Sequence, residues 1–372
     1  MSGEELTRRI FIRRTAALSG AALAPGILAA CGGGGSNGGG TSASSQAAKD
    51  KKRWPAIKSK QVVLAGFGGI TYQVRHQIEF NQFTQATGAK VVDAPWDYGK
   101  FVSMLGSSNP EWDMIDFDGY SQVALIQAGK KFAKLEPWVR RCDLVDPKYR
   151  DYASGSYAYS VAMGWTPKAG KPASWADFFD TAKFPGKRAW PKSIYAGTVE
   201  IALLADGVPP DKIYPLDFQR GFRKLDTIKR DLLFYDSYAQ GQQYITQGSA
   251  TMIATANSRC EQLKSQGNFD YTFKDAILYP WGTFAMPAHL KHGDAANALI
   301  DFMANPVIQA EVARRLRLGP IVSEAFKQLS KEDLAKTPNS KQNRAISFTI
   351  DTEKAAKQDV EYATKYSNWV AS

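Results

Sequence analysis

The chain has 372 residues, of which 47 are lysine or arginine and 36 are aspartate or glutamate, giving a formal charge of +11. The basic residues are scattered, with no long basic run after Arg53 and no finger, helix-turn-helix or RNA-binding signature, so nucleic acid is excluded as a partner and a generally basic surface is expected. The length suffices for two domains of ordinary size.

The first thirty residues differ from the rest. Arg8 and Arg9, then Arg13 and Arg14, precede a weakly apolar, alanine-rich run from Ala16 to Ala30 that is interrupted by Gly20, Pro25 and Gly26. Such a run is too short and too weak to span a hydrocarbon core of ~30 Å, so residues 1–30 read as an export signal. Thr7 to Arg13 resembles the twin-arginine motif, which implies passage across the membrane in a folded state. Leu28-Ala29-Ala30-Cys31 resembles a bacterial lipobox, with Cys31 as the lipid acceptor. Two or more acyl chains, each buried CH₂ contributing ~0.8 kcal/mol, would then hold the protein at a membrane surface. Residues 31–56, rich at first in glycine and serine, are expected to be a flexible tether. Only Cys142 and Cys260 follow, and they read either as a disulfide or as two buried thiols.

Beyond the tether, strand and helix alternate. Residues 61–65 form a short apolar run that predicts a buried strand ending in the turn Gly66-Phe67-Gly68-Gly69. A helix is predicted over 72–87, with Val74, Ile78 and Phe83 on one face and Gly88 stopping it. Strands over 89–93 and 112–117 and a helix over 121–128 follow. A second α/β unit begins after about residue 159, where Ser174-Trp175-Ala176-Asp177 has the spacing of a capping box. Helices over 198–206 and 216–229, a strand over 232–235, a helix to Gln247 and a strand over 250–255 continue it. The chain then returns through two extended pieces around Trp281-Gly282-Thr283 to late helices over 294–304 and 306–316, the second with proline in its first turn. This is a doubly wound α/β order, in which ligands sit at the carboxyl ends of strands, here the loops 67–72 and 117–120.

Several stretches resemble the extracellular solute-binding proteins of ATP-driven importers, in particular the spermidine/putrescine-binding branch. They are Phe67-Gly68-Gly69, "FTQATGAKV" from Phe83, "WDMIDFDGY" from Trp112, "PASWADFFDTAKFPGK" from Pro172, "LLADGVPPDKIYPLD" from Leu203, "GSATMIATANSR" from Gly248 and "AANALIDFMANPVIQAEV" from Ala295. The resemblance implies a two-lobed, class II-like periplasmic-binding-protein fold of the Venus-flytrap type. Its first lobe would comprise residues 57–158 and 283–327, and its second residues 159–282 and 328–372. It also implies a monomer without cofactor, which closes on a small organic solute and delivers it to the permease subunits of an ABC transporter.

In the polyamine-binding relatives aromatic faces hold the ligand's methylene chain and carboxylates meet its ammonium ends. The resemblance accordingly places Tyr120 in the cleft with Asp118 beside it; Asp118 reads equally as a helix cap. Phe67, Gly68, Gly69 and Tyr72 are expected to approach the ligand, although Phe67 also reads as core and the glycines as a plain turn. Tyr157 and Tyr159 line the hinge side or pack there. The chain departs from the family's pattern at Asn257-Ser258-Arg259, at Trp281-Gly282-Thr283 and after "PGK", where the first carboxylate is Glu200, either a ligand group or an exposed or capped one. Trp281 is expected among the ligand contacts, and Asn257, Arg259 and Thr283 suit a carboxylate or zwitterion better than a bare diamine, because arginine offers a planar fork of donors.

Catalysis is not indicated. The chain lacks His-Glu-x-x-His, Gly-x-Ser-x-Gly and a phosphate loop, and His289 and His292, three residues apart, fit an exposed turn better than a metal.

Overall fold

A computed structural model describes residues 43–66 and 68–372. Among them the strands are, in chain order, β1 (Gln61–Gly66), β2 (Lys90–Pro95), β3 (Met114–Asp118), β4 (Ser154–Gly155), β5 (Tyr159–Trp165), β6 (Arg188–Pro191), β7 (Leu232–Tyr235), β8 (Met252–Ala256), β9 (Asp270–Tyr279), β10 (Gly282–Ala285) and β11 (Phe348–Thr349). They form two sheets, one in the order β2-β1-β3-β10-β4 and the other in the order β11-β9-β5-β8-β6-β7. In the first, β1 runs parallel to β2 and β3, and β10 returns antiparallel with Gly282 opposite Asp118. In the second, β6 is parallel to β7 and β8, while β5 is antiparallel to β8 and β9. Every residue of β3 and of β8 is buried, so that Asp116 and Asp118 of β3 are taken out of water along with the apolar residues. Each sheet with its helices is one lobe.

The first long helix begins with α1 (Gly69–Arg75), three residues before the apolar spacing predicts. Gly68 and Gly69 take φ of 62° and 67°, which lets the chain turn from β1 directly into the first helical turn. The helix continues through a π-helical segment, His76–Phe80, and through Asn81–Thr87 to Gly88 at φ 80°. α2 (Tyr98–Met104) is capped by Asp97, and α3 (Gly119–Gln127) by Asp118.

The expectation of a flexible tether up to residue 56 is corrected from residue 43 onward. Ala43–Lys51 is helical, and Ala47 and Trp54 are buried in the first lobe's core. Asp50 meets Arg140 at 2.6 Å and Asn305 at 2.8 Å, and the Trp54 indole donates to Asp301 at 2.8 Å. One buried indole and one buried ion pair fix a segment whose composition alone reads as solvent-exposed.

The lobes are joined by neighbouring strands of chain that hydrogen-bond to one another. Gly282 donates to Tyr157 O at 2.7 Å, Ser156 donates to Gly282 O at 3.1 Å, and Ala158 and Gly319 exchange two bonds of 2.7 Å. α4 (Asn257–Ser265) opens at this junction: the Asn257 carboxamide accepts from Ser160 N at 3.0 Å and donates to Arg317 O at 2.6 Å. Near the end of the chain, α5 (Thr352–Ala356) packs on α3 of the first lobe, with Glu353 bound to Lys148 and Tyr149, whereas α6 (Asp359–Ala371) packs into the second lobe through Tyr362, Tyr366 and Trp369. No disulfide joins Cys142, in the first lobe, to Cys260, in the second. No helix among the described residues is long and apolar enough to cross a membrane.

Asn257→Ala would strand a buried N–H and a buried C=O at the junction, each costing about 1–3 kcal/mol. Urea denaturation is expected to show a loss of roughly 2–4 kcal/mol, whereas a loss below 1 kcal/mol would mean that the carboxamide does not hold the junction.

Candidate functional site

The carboxyl ends of β1, β2 and β3 face the loops that follow β6, β7 and β8, and aromatic residues fill the space between them. Tyr120, from the first turn of α3, is 4% exposed and reaches into the second lobe's hydrophobic cluster, where its ring lies 6.2 Å from Tyr195 and 6.1 Å from Tyr279. Tyr159 stacks on Tyr279 at 4.5 Å and 5° and donates to Tyr195 O at 3.2 Å. Trp96, after β2, meets Tyr195 edge-on at 6.1 Å and Tyr98 at 6.2 Å. Gly66, Gly68, Tyr72 and residues 93–96 line an adjoining depression of about 480 Å³.

One end of this aromatic floor is acidic. Asp118 is buried and accepts from Ser121 N at 2.9 Å and from the Ser121 hydroxyl at 3.3 Å. It is thus a helix cap, yet a cap that looks into the cleft. Asp359, at the start of α6, is 4% exposed, and the Ser121 and Tyr98 hydroxyls are the hydrogen-bonding groups beside it. Burial, together with the charge of Asp359, pushes Asp118 up to about 7, and burial pushes Asp359 up to about 6. No lysine, arginine or histidine among the described residues forms an ion pair with either carboxylate. The Tyr120 hydroxyl has no hydrogen-bond partner among the described residues.

The other end is basic. Arg259, on α4, is half-buried and in no ion pair with a described residue; its guanidinium donates to Gln262 at 3.1 Å and reaches across to Thr71, in the first turn of α1, at 3.4 Å. It lies over the Tyr238 ring at 5.5 Å, and burial pulls its pKa down. Tyr157 joins the two ends, with its ring 6.5 Å from that of Tyr159 and its hydroxyl in the field of Arg259. The arrangement offers an anion a guanidinium over the first turn of a helix, and offers a cation two carboxylates amid aromatic faces.

The structure brings Gly68, Gly69, Asp118, Tyr120, Tyr159 and Arg259 to this crevice. Phe67, Cys31, Arg8 and Arg9 lie outside the described residues. Tyr72 lines the adjoining depression, but its hydroxyl is turned inward to donate to Asp116 at 3.1 Å, and Gly66 is required there because a Cβ would collide with that hydroxyl.

Four expected contacts are corrected. Glu200 is inside the second lobe, accepting from Tyr214 at 2.9 Å and Tyr362 at 3.0 Å. Asn257 spends both ends of its carboxamide at the lobe junction. Thr283 is wholly buried in β10 and donates to Phe117 O at 3.3 Å, and Trp281 packs on Gly119 and stacks on Tyr149 at 6.5 Å. Their polar or aromatic groups are satisfied by the protein itself. Sequence reasoning missed Asp359, Ser121, Tyr98, Trp96, Tyr195 and Tyr238; the first belongs to the last helix, far from any quoted stretch, and no local signal marks it.

Residues 80–342 match a family model described as bacterial extracellular solute-binding protein. The gamma-aminobutyric acid-binding protein of Pseudomonas aeruginosa is 26% identical over 330 residues, spanning 84% of this chain and 92% of that protein. The solved structure of a GABA receptor is 32% identical with a TM-score of 0.76, over 83% of this chain and 97% of its own. The spermidine/putrescine substrate-binding protein PotD from Streptococcus pneumoniae shares the fold at a TM-score of 0.63 but only 14% identity, over 84% of this chain and 98% of its own. The two-lobed periplasmic-binding-protein fold is therefore common to all of them.

Tyr120→Phe removes a buried hydroxyl that has no partner among the described residues. Thermal unfolding without ligand is expected to stay within about 0.5 kcal/mol of the parent or rise slightly. A loss above 1 kcal/mol would indicate that this hydroxyl is bound within the fold.

Proposed function

The chain belongs to the bacterial extracellular solute-binding proteins, and on that premise we propose that the solute it captures is a short amino acid with its amino group distant from its carboxylate, of the GABA kind. Members of this family work outside the cytoplasm, binding a small polar solute and delivering it to the permease subunits of an ABC importer. In this reading Arg259 and the first turn of α1 take the carboxylate, Asp118 takes the ammonium, and Tyr120, Tyr159, Tyr195 and Tyr238 enclose the methylenes. The observation that carries it is the guanidinium of Arg259, half-buried at one end of the cleft without an acidic partner, opposite a buried carboxylate at the other.

Magnitudes favour a zwitterion over a diamine. An ammonium withdrawn from water without a counter-charge loses several kcal/mol, against a total of about 8 kcal/mol for micromolar binding. Cation–π contacts of ~0.5–2 kcal/mol do not make up that loss. A diamine such as putrescine would place its second ammonium against Arg259, while a zwitterion places a carboxylate there. The similarity to two GABA-binding proteins supports the same choice, and the polyamine branch is represented at 14% identity.

Around this site we assign the remaining parts of the molecule as follows: residues 1–30 as a twin-arginine signal, Cys31 as the lipidated residue and the whole as a monomeric, membrane-tethered receptor. Cys31→Ser is then expected to move the exported protein from the membrane fraction to the soluble one. Retention in the membrane fraction counts against the anchor.

Isothermal titration tests the ligand. GABA is expected to bind at least tenfold more tightly than putrescine, and Arg259→Met to weaken GABA by roughly 10- to 150-fold, the loss of a charge-assisted contact of about 1.5–3 kcal/mol. Equal affinity for putrescine, or a variant that binds GABA undiminished, defeats the reading.

A further inference from the structure

Asp118 and Asp359 approach the cleft from different ends of the chain. Asp118 belongs to the first lobe's sheet and α3, whereas Asp359 opens α6, which is packed in the second lobe. The Ser121 hydroxyl stands between them. It has one proton to give, and gives it to Asp118 at 3.3 Å; toward Asp359 it can then only accept. Among the described residues Asp359 Oδ1 is buried without a hydrogen-bond partner, and so is the Tyr120 hydroxyl close by. The other groups facing the pair are the phenols of Tyr98, Tyr120, Tyr159, Tyr195 and Tyr279, all kept neutral by burial. Two buried carboxylates that share the Ser121 hydroxyl, with only the Ser121 N–H and the Tyr98 hydroxyl besides and no cation among the described residues bonded to either, do not both remain ionised.

Building on the amino-acid reading, we propose that Asp359 is a specificity-determining residue: with Asp118 it holds one shared proton in the ligand-free protein, and the ligand's ammonium group displaces that proton to solvent. The ammonium arrives already charged and brings its own positive charge to the pair, so the acid proton passes to water or buffer and no other group changes its protonation. A neutral isostere with a hydroxyl in place of the ammonium cannot make the exchange and leaves the acids without a counter-charge. Discrimination therefore depends on charge at this end, and two lobes must each supply one carboxyl group for it to operate.

The direction with pH follows from both acids lying above the ordinary aspartate range. The folded, ligand-free protein holds a proton that the unfolded chain has released, so this pair's contribution to stability is full below about pH 4 and is lost as pH rises toward 7. Affinity for an ammonium ligand runs the other way and increases across the same window, approaching tenfold per pH unit where one proton is released.

Titrations of the full protein with GABA at pH 5.5 and 7.5, in buffers of different ionisation enthalpy, test the exchange. The parent is expected to bind about tenfold or more weakly at pH 5.5 and to release up to one proton. Asp359→Asn is expected to bind more weakly at pH 7.5 and to lose most of the pH dependence and of the proton release, and 4-hydroxybutyrate to bind weakly with neither effect. GABA binding that is independent of pH and releases no proton overturns the inference and leaves the amino-acid reading intact. If GABA does not bind at all, that reading falls, and the pair is decided by infrared spectroscopy: a protonated-carboxyl band titrating between pH 5 and 8 and shifted in Asp359→Asn supports it, and the absence of such a band overturns it.

Discussion

A charge taken out of water must find an opposite charge or a full set of hydrogen bonds close by, and this molecule meets that constraint at Arg75 in its interior and incompletely in its cleft. Arg75 illustrates the first case. It is 0% exposed, bonds Glu79 at 2.5 Å and Asp116 at 3.0 Å, and lies within 5.7 Å of the ring centres of Tyr72, Phe80, Tyr157 and Phe284. Its acidic partners come from the next turn of the same helical run and from β3, so the ion cluster fastens the helix that opens at Gly69 to the sheet beneath it. Breaking one partner of such a cluster leaves a buried charge alone, which is costly even where the intact cluster contributes little net stability.

Arg259 and the Asp118–Asp359 pair illustrate the second. They sit at opposite ends of a row of tyrosines, and the protein offers each end hydroxyls and rings in place of a counter-ion. The fold keeps these charges apart because they project from different elements: Arg259 from α4, Asp118 from the end of β3, Asp359 from α6. In the proposed reading a ligand bearing both signs would complete each end in turn, and it could do so only when the lobes stand together, since Thr71 and Arg259 belong to opposite lobes. Closure and recognition would then be one event, the closed state being favoured by the contacts that the ligand makes in it and lacks in an open one.

The rest of the crevice is rigid by construction. Tyr120 is locked between Tyr195 and Tyr279, Asn257 clamps the junction, and Trp281 backs Gly119 at the start of α3, where a side chain would not fit. Glu200 supports the same surface from behind, tying Tyr214 and Tyr362 together beneath the Tyr279 side of the second lobe. Side chains that look like candidates for a ligand in one dimension are in several cases the fittings that hold the walls of the crevice in place.

The sequence by itself determined the alternation of strand and helix and the glycine turn after β1, left Asp118 open between a helix cap and a ligand group, and marked Tyr120 and Arg259 as candidates. Each of these rests on local chemistry, on apolar periods, on φ values open to glycine, or on a residue type standing beside a strand end. Which polar groups were already satisfied was decided only by the tertiary structure. Glu200, Asn257 and Thr283 carry the same donors and acceptors as true ligand groups, and only the partners brought to them from 14 to 166 positions away use those atoms up. Asp359 became part of the cleft for the converse reason: α5 leaves the second lobe to pack on α3, and the return of the chain sets the first residue of α6 beside Ser121. A side chain's role at a buried site depends on which charges surround it, and those surroundings come from distant segments that no local pattern records.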